Sequence, residues 1–226
     1  MSARTTDSKS MQSTDWPMYR ALVGLGLICS LVIVSVFEYT APIIRKNQAA
    51  ALRQAIFTIF PLAQTYTAFH LNAEGDFKRM TDESDTGASV YACYDQGQRL
   101  LGYAIEAQGM GYQDTIRLLY GYAPKQSAIV GMVVLESRET PGLGARIATD
   151  PDFLRNFRQL DVRLAADGSK LAHPIEVVPA DQAPKPWQID AISGATVSSR
   201  AVGRILEQSA RFWVPRLANR ETFHAP

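Results

Sequence analysis

The run from Ala21 to Phe37 (ALVGLGLICSLVIVSVF) carries no charged residue, and it constrains the fold more than any other stretch. A spanning segment needs roughly 17–25 apolar residues. Helix is the single-span solution, because backbone polar groups in lipid must be satisfied within the segment. Glu38 interrupts the run, but Tyr39 to Ile44 stay largely apolar before Arg45 and Lys46. A membrane anchor is therefore expected over 21–44. The competing reading is a cleaved signal peptide. Against it stand a long leader and the lack of a clear small-x-small cleavage site after the run. Residues 1–20 are polar, rich in Ser and Thr, and read as a disordered leader. Arg4, Lys9 and Arg20 precede the span, and Arg45, Lys46 and Arg53 follow it, so positive charge does not orient it.

The 226 residues leave room for one soluble domain of ordinary size after the anchor, over 45–226. Lys and Arg number 23 against 22 Asp and Glu, interspersed, so no nucleic-acid footprint is expected. A hydrophobic content of 46% supports a packed core. Cys29 lies in the apolar run and Cys93 in the later part, so they are not expected to pair. Two cysteines cannot hold an iron–sulfur cluster. His70, His173 and His224 are too scattered for a metal site.

The pattern after the anchor is that of an α+β domain, with a mainly antiparallel sheet and flanking helices. Asn47 to Phe60 reads as a helix ended by Pro61. Residues 62–87 are mixed and polar, with a turn at Gly75. Short β-like runs begin after Ala88: 89–94, 99–107, 115–122 and 127–135. Their close spacing suggests hairpins. Gly109-Met110-Gly111-Tyr112 falls between two of them and reads first as a turn. A loop able to approach a ligand is the second reading. Glu136 to Ile147 is too rich in Pro and Gly for a regular element. Asp150 caps a helix with Pro151 at its first position, running to Leu160. Strands are expected at 161–165 and 175–178, with a turn at Asp167-Gly168 and a proline-rich connection over 179–187. The final helix begins near Thr196, with Val197, Ala201, Val202, Ile205, Leu206, Phe212 and Trp213 on its apolar stripe, and ends at Pro215.

Chemistry concentrates just before that helix, at Asp190-Ala191-Ile192-Ser193-Gly194-Ala195-Thr196-Val197-Ser198-Ser199. A loop emptying into a helix start presents N–H groups without intrahelical partners, together with the positive end of the helix dipole. Such a place favours phosphate, and Gly194 permits close approach. The plain alternative is an ordinary cap made by Ser193 or Thr196.

Asp190 to Thr196 resembles the D-x-x-S/T-G-A-T flavinylation motif of the FMN-binding domain family. The upstream Glu139-Thr140-Pro141-Gly142-Leu143-Gly144 resembles the E-T-P-G-L-G segment of the G subunit of the Rnf electron-transport complex. With the anchor and Gly109 to Tyr112, the resemblance covers most of the chain. It implies FMN joined to Thr196 by a phosphoester bond, installed by a separate flavin transferase with FAD as donor. A threonine hydroxyl needs a base, which that transferase would supply. Asp190, Ser193, Gly194 and Ala195 belong to the signature, and Val197, just after it, is expected among the cofactor-binding residues. Thr140, Gly142, Leu143 and Gly144 are expected beside the flavin, together with Glu139.

The resemblance further implies an inner-membrane subunit with a cytoplasmic leader and a periplasmic FMN domain. Its partners would be the lipid bilayer and the other subunits of a redox complex moving electrons between ferredoxin and NAD with ion translocation. No G-x-G-x-x-G follows a strand, so no nicotinamide site is expected. The chain reads as an electron carrier rather than a catalyst on its own. The nearest alternative is the C subunit of the sodium-translocating NADH:quinone reductase. A flavin-bearing redox sensor and a cofactor-free anchor are others.

Overall fold

The computed structural model describes residues 15–72, 77–80, 89–180, 182 and 184–218. The leader up to residue 14, the expected turn at Gly75, the start of the β region at Ala88, His224 and the polar tail from 219 lie outside the described residues. The chain divides into two units between Gln48 and Ala49.

Helix α1 runs over Asp15–Ile59, 45 residues, and contributes to both units. It is long and apolar enough to cross a membrane, with mean hydropathy 2.3 over its most apolar window, none of which is buried by protein. Leu22, Ile28, Leu31 and Ile33 are all exposed. Apolar surface on every side suits lipid rather than a protein core. Two expectations are corrected here. Residues 15–20 are helical, not disordered, and no break separates the anchor from the expected helix over 47–60. Arg45 to Ala51 contains no glycine or proline, so nothing local stops the helix there. Pro42 lies inside it. Pro61 follows its end, as expected.

Among the described residues the second unit is built on a seven-stranded antiparallel sheet: β1 (Thr65–Leu71), β2 (Phe77–Arg79), β3 (Ser89–Tyr94), β4 (Leu100–Met110), β5 (Thr115–Ala123), β6 (Ala128–Glu136) and β7 (Leu160–Asp161). Their order across the sheet is β2-β1-β3-β4-β5-β6-β7. The four runs read from sequence correspond to β3 through β6. β1 escaped notice because its alternation is carried by Thr67 and Phe69, only one of which is apolar. β4 and β5 pair from Tyr103↔Tyr122 to Met110↔Thr115, so the Gly111–Asp114 turn is a hairpin tip.

Several boundaries differ from the sequence reading. Asp150 does cap α2 (Pro151–Arg155), accepting from the Asp152 and Phe153 N–H groups. The helix then tightens to a 3-10 turn over Asn156–Arg158 and does not reach Leu160, which begins β7. Asn156 sends its amide back to the Phe153 carbonyl, a local bond that competes with helix continuation. The strand expected over 161–165 is reduced to β7 and an isolated Leu164–Leu171 bridge. β8 (Glu176–Val178) pairs in parallel with β9 (Gln188–Asp190), a short strand the sequence did not reveal. Gly144–Ala148 forms a 3-10 turn inside the segment expected to be irregular. Helix α3 spans Thr196–Ala218, passing through Pro215 instead of ending there. A proline in the last turn removes one hydrogen bond, and burial of Trp213, Val214 and Leu217 holds that turn to the core.

The two faces of the sheet receive different helices. Tyr91, Cys93, Ala104 and Leu119 form a core with Ala55, Ile56, Ile59 and Phe60 at the end of α1. Ala92, Tyr103, Ile105, Leu118 and Tyr120 face the other way, toward Ala201, Val202, Ile205 and Leu206 of α3. This alternation is the period of two expected of a strand. Val197 and Phe212, read as part of the α3 stripe, are instead 51% and 42% exposed. Both cysteines are free, and burial pushes the Cys93 thiol up to about 12.

The α1 end fits the sheet because Gly121 offers no side chain. A Cβ there would clash with Ile59 Cγ2. We expect Gly121→Ala to cost about 1–3 kcal/mol through overpacking. Ile59→Ala in the same chain should recover part of that loss, as read by denaturant melts of detergent-solubilised protein. Strictly additive losses would show that this contact does not govern the packing.

Candidate functional site

The two motifs meet at one end of the sheet. Glu139 is 5% exposed, and both of its carboxylate oxygens are engaged. Oε1 accepts from the backbone N–H of Tyr112 (2.8 Å) and of Gln113 (3.0 Å), at the β4–β5 hairpin tip. Oε2 accepts from the Ser198 hydroxyl in the first turn of α3. One carboxylate therefore ties three separated segments together. Burial pushes this carboxyl up, but the Ser198 hydroxyl and the backbone donors at 112–114 outweigh it and hold it below the ordinary value. The space is shaped for the group. A Cβ on Gly111 would meet Oε1, and one on Gly144 would come within 2.6 Å of Oε2 and of the Ser198 Oγ.

A second link joins the motifs. Arg146 donates from one guanidinium nitrogen to the Ser193 carbonyl (3.3 Å) and from the other to Asp150 (2.5 Å). Asp150 is held below the usual carboxylate range by the Phe153 N–H, with Arg146 adding to it. On the far side, Asn156 accepts from the Asp190 N–H (3.0 Å) and donates to the Asp190 carbonyl (3.1 Å). The backbone entering the motif is thereby fixed at Asp190.

Between these fixed points the loop turns into α3. Gly194 has φ +82°, in the left-handed region that favours glycine, and nothing lies within 4 Å of where its Cβ would be. Ala195 immediately precedes the helix, so the capping position carries no side-chain oxygen. The Ser199 hydroxyl accepts from the Ile192 N–H and donates to the Ala195 carbonyl, stitching the loop to the helix from inside. Among the described residues the hydroxyls of Ser193 and Thr196 make no hydrogen bond. The ordinary cap that the sequence allowed is therefore not what these residues form. The first turn keeps its N–H donors for another acceptor. Ser193 and Gly194 are exposed and Thr196 is half-buried. Residues and geometry alike fit a phosphate-bearing ligand at this turn.

The E-T-P-G-L-G loop closes on its own backbone. The Thr140 carbonyl accepts from Leu143 (3.2 Å) and Ala145 (3.1 Å), and its hydroxyl donates to the Gln113 side chain (3.3 Å). Gly142 has φ +76° and stands exposed. Among the described residues after Ile59 the exposed large apolar side chains are Leu62, Met110, Tyr112, Leu143, Val197 and Phe212. Four of them, Met110, Tyr112, Leu143 and Val197, belong to the three segments tied by Glu139. Exposed apolar surface concentrated on one edge marks a place that something covers.

The eleven residues singled out from the sequence thus fall on two connected loops, the end of β9 (Asp190) and the α3 start, although Glu139 is occupied within the protein. Sequence reading missed Ser198, Arg146 and Asn156. Arg146 precedes Asp150 by one helical neighbour spacing, which hinted at an ion pair. Nothing in the sequence hinted that Asn156 would hold Asp190.

Fold and site together define an FMN-binding domain. Residues 111–211 match the family of that description, and the hairpin tip, the E-T-P-G-L-G loop and the Thr196 turn all lie within the match. The chain belongs to the family formed by the G subunit of ion-translocating oxidoreductase complexes. It is 30% identical to that subunit from Methanosarcina acetivorans over 189 residues, covering 80% of this chain and 85% of the relative. It is also 30% identical to the Pseudomonas aeruginosa PAO1 subunit over 211 residues, covering 91% and 88%. Among solved structures, Shewanella oneidensis NqrC shares the fold. The TM-score is 0.59 at 20% identity, over 72% of this chain and 91% of that one.

Two tests follow from this geometry. The Glu139 carboxyl is depressed in the folded state, so its stabilisation is present above the ordinary value of 4.5 and is lost as pH falls through the folded value. Glu139→Gln should therefore lose stability at pH 7 and fall off less steeply on acidification, as read by urea melts between neutral and acid pH. An acid limb unchanged from wild type would remove Glu139 from the account. Asn156→Ala should cost about 1–3 kcal/mol by leaving the Asp190 backbone unsatisfied, measured in the same melts.

Proposed function

We propose that this chain is the membrane-anchored flavoprotein subunit of an Rnf-type ion-translocating complex, carrying FMN through a phosphoester to Thr196 and relaying electrons to neighbouring subunits. The observation that carries this is the α3 start. It has no capping side chain, an open Gly194, and a Thr196 hydroxyl with no partner among the described residues. The family membership supports the complex, and the motif at 190–196 supports the covalent bond.

Attachment requires the Thr196 Oγ to form a bond to the phosphorus of the FMN half of FAD. The pyrophosphate bond breaks, AMP leaves, and the threonine proton passes to a base on the transferase. Thr196 needs only to be reachable, and it is half-buried with Gly194 and Val197 exposed on either side. The α3 N–H donors would hold the phosphate oxygens, aided by the helix dipole. Arg146, already at the Ser193 carbonyl and paired with Asp150, would hold this turn in place beside them. FMN, when bound, supplies one- and two-electron chemistry. The protein's own residues fix its phosphate, and Leu143 and Val197 offer apolar surface beside it. Helix α1 holds the unit at the inner membrane, with the FMN domain on the periplasmic side. The fold shared with NqrC keeps the C subunit of the sodium-translocating quinone reductase as a second reading. The sequence relatives named above favour the first.

Protein co-produced with a flavin transferase should fluoresce after denaturing electrophoresis, and Thr196→Ala should abolish that signal while leaving the melting temperature within a few degrees. Covalent flavin surviving in Thr196→Ala would move the site to another hydroxyl. External protease should digest the domain in intact spheroplasts. Full resistance there would reverse the orientation.

A further inference from the structure

We propose that Glu139 is a positioning residue, whose buried carboxylate holds the hairpin tip against α3 so that the Tyr112 ring lies on the isoalloxazine of the flavin. This rests on the reading of FMN at Thr196. Tyr112 is pinned at its backbone and open at its side chain. Its N–H is bound to Glu139 at 2.8 Å, while the residue is 68% exposed. The other oxygen of the same carboxylate takes the Ser198 hydroxyl, two residues beyond Thr196. Met110 and Tyr112 stand exposed on one of the segments that this carboxylate ties together, and apolar surface gathered in this way is what a flat apolar group would cover. Val197, next in chain to the tether point, and Leu143 extend that surface.

The glycines at 111 and 144 show that the clasp is built tightly. Neither position has room for a methyl group while the carboxylate is in place. Three donors on a buried anion are also more than closing a sheet edge requires, since a neutral side chain would avoid desolvating a charge. What the charge adds is a fixed distance between two segments that share no strand pairing. In this arrangement Glu139 touches no cofactor; it acts through Tyr112 and Ser198.

Flavin emission is the direct readout, because an excited flavin in contact with a phenol ring is quenched by transient electron transfer from it. Flavinylated wild-type protein should be weakly emissive for its FMN content. Tyr112→Leu and Tyr112→Phe should each raise emission several-fold at unchanged FMN stoichiometry. Glu139→Gln should raise it in the same direction with Tyr112 intact, and the Glu139→Gln, Tyr112→Leu double variant should go no further. Where Glu139→Gln folds poorly, Ser198→Ala removes one of the three donors and should give an intermediate rise. Emission unchanged in the Tyr112 variants would overturn the contact. Emission raised by the Tyr112 variants but unchanged in Glu139→Gln and Ser198→Ala would overturn the positioning role. Wild-type protein carrying no covalent flavin would instead refute the reading beneath both.

Discussion

The buried Glu139 carboxylate is the interaction on which the candidate site depends. It draws the β4–β5 hairpin tip, the E-T-P-G-L-G loop and the first turn of α3 to one point, although more than fifty residues separate Glu139 from Ser198 along the chain. Desolvating a carboxylate is unfavourable, and here hydrogen bonds from two segments outweigh it. The consequence reaches outward. Gly111 and Gly144 must stay without side chains, the hairpin tip cannot drift, and the helix that presents Thr196 starts from a fixed place.

The sheet supports this edge from both sides. The end of α1 fills one face around Ile56, Ile59 and Phe60, and α3 fills the other around Val202, Ile205 and Leu206. Because α3 is pinned along its length by core residues, its uncapped first turn is held in position rather than frayed. The flavin's phosphate would meet preorganised donors, which lowers the cost of ordering them on binding. The same α1 that closes the core is the continuation of the apolar helix, so one element anchors the protein and completes its fold.

Much of this was legible in the sequence, for identifiable reasons. The central strands β3 to β6 are rich in β-branched and aromatic residues and are separated by clear turns, so they read correctly. The anchor read from its lack of charge, and the two motifs read from composition that ordinary loops do not need. What was hidden depends on partners far along the chain. β1 takes its inward Thr67 from tertiary context, and β9 exists because β8 lies beside it. Pro215 does not stop α3 because Trp213 and Leu217 are buried. Asn156, Arg146 and Ser198 looked like ordinary polar residues until folding placed them against Asp190, Ser193 and Glu139. Periodicity places Val197 on the core stripe, but it stands open beside Thr196.

The central claim is that this turn carries FMN through its phosphate on one threonine. Peptide mapping by mass spectrometry tests it most directly, on protein made together with a flavin transferase. The account predicts a single modified peptide containing Ser193 to Ser199, with fragmentation placing the FMN phosphoryl group on Thr196. The same mass on Ser193, Ser198 or Ser199, or an unmodified peptide in protein whose flavin leaves on denaturation, would contradict it.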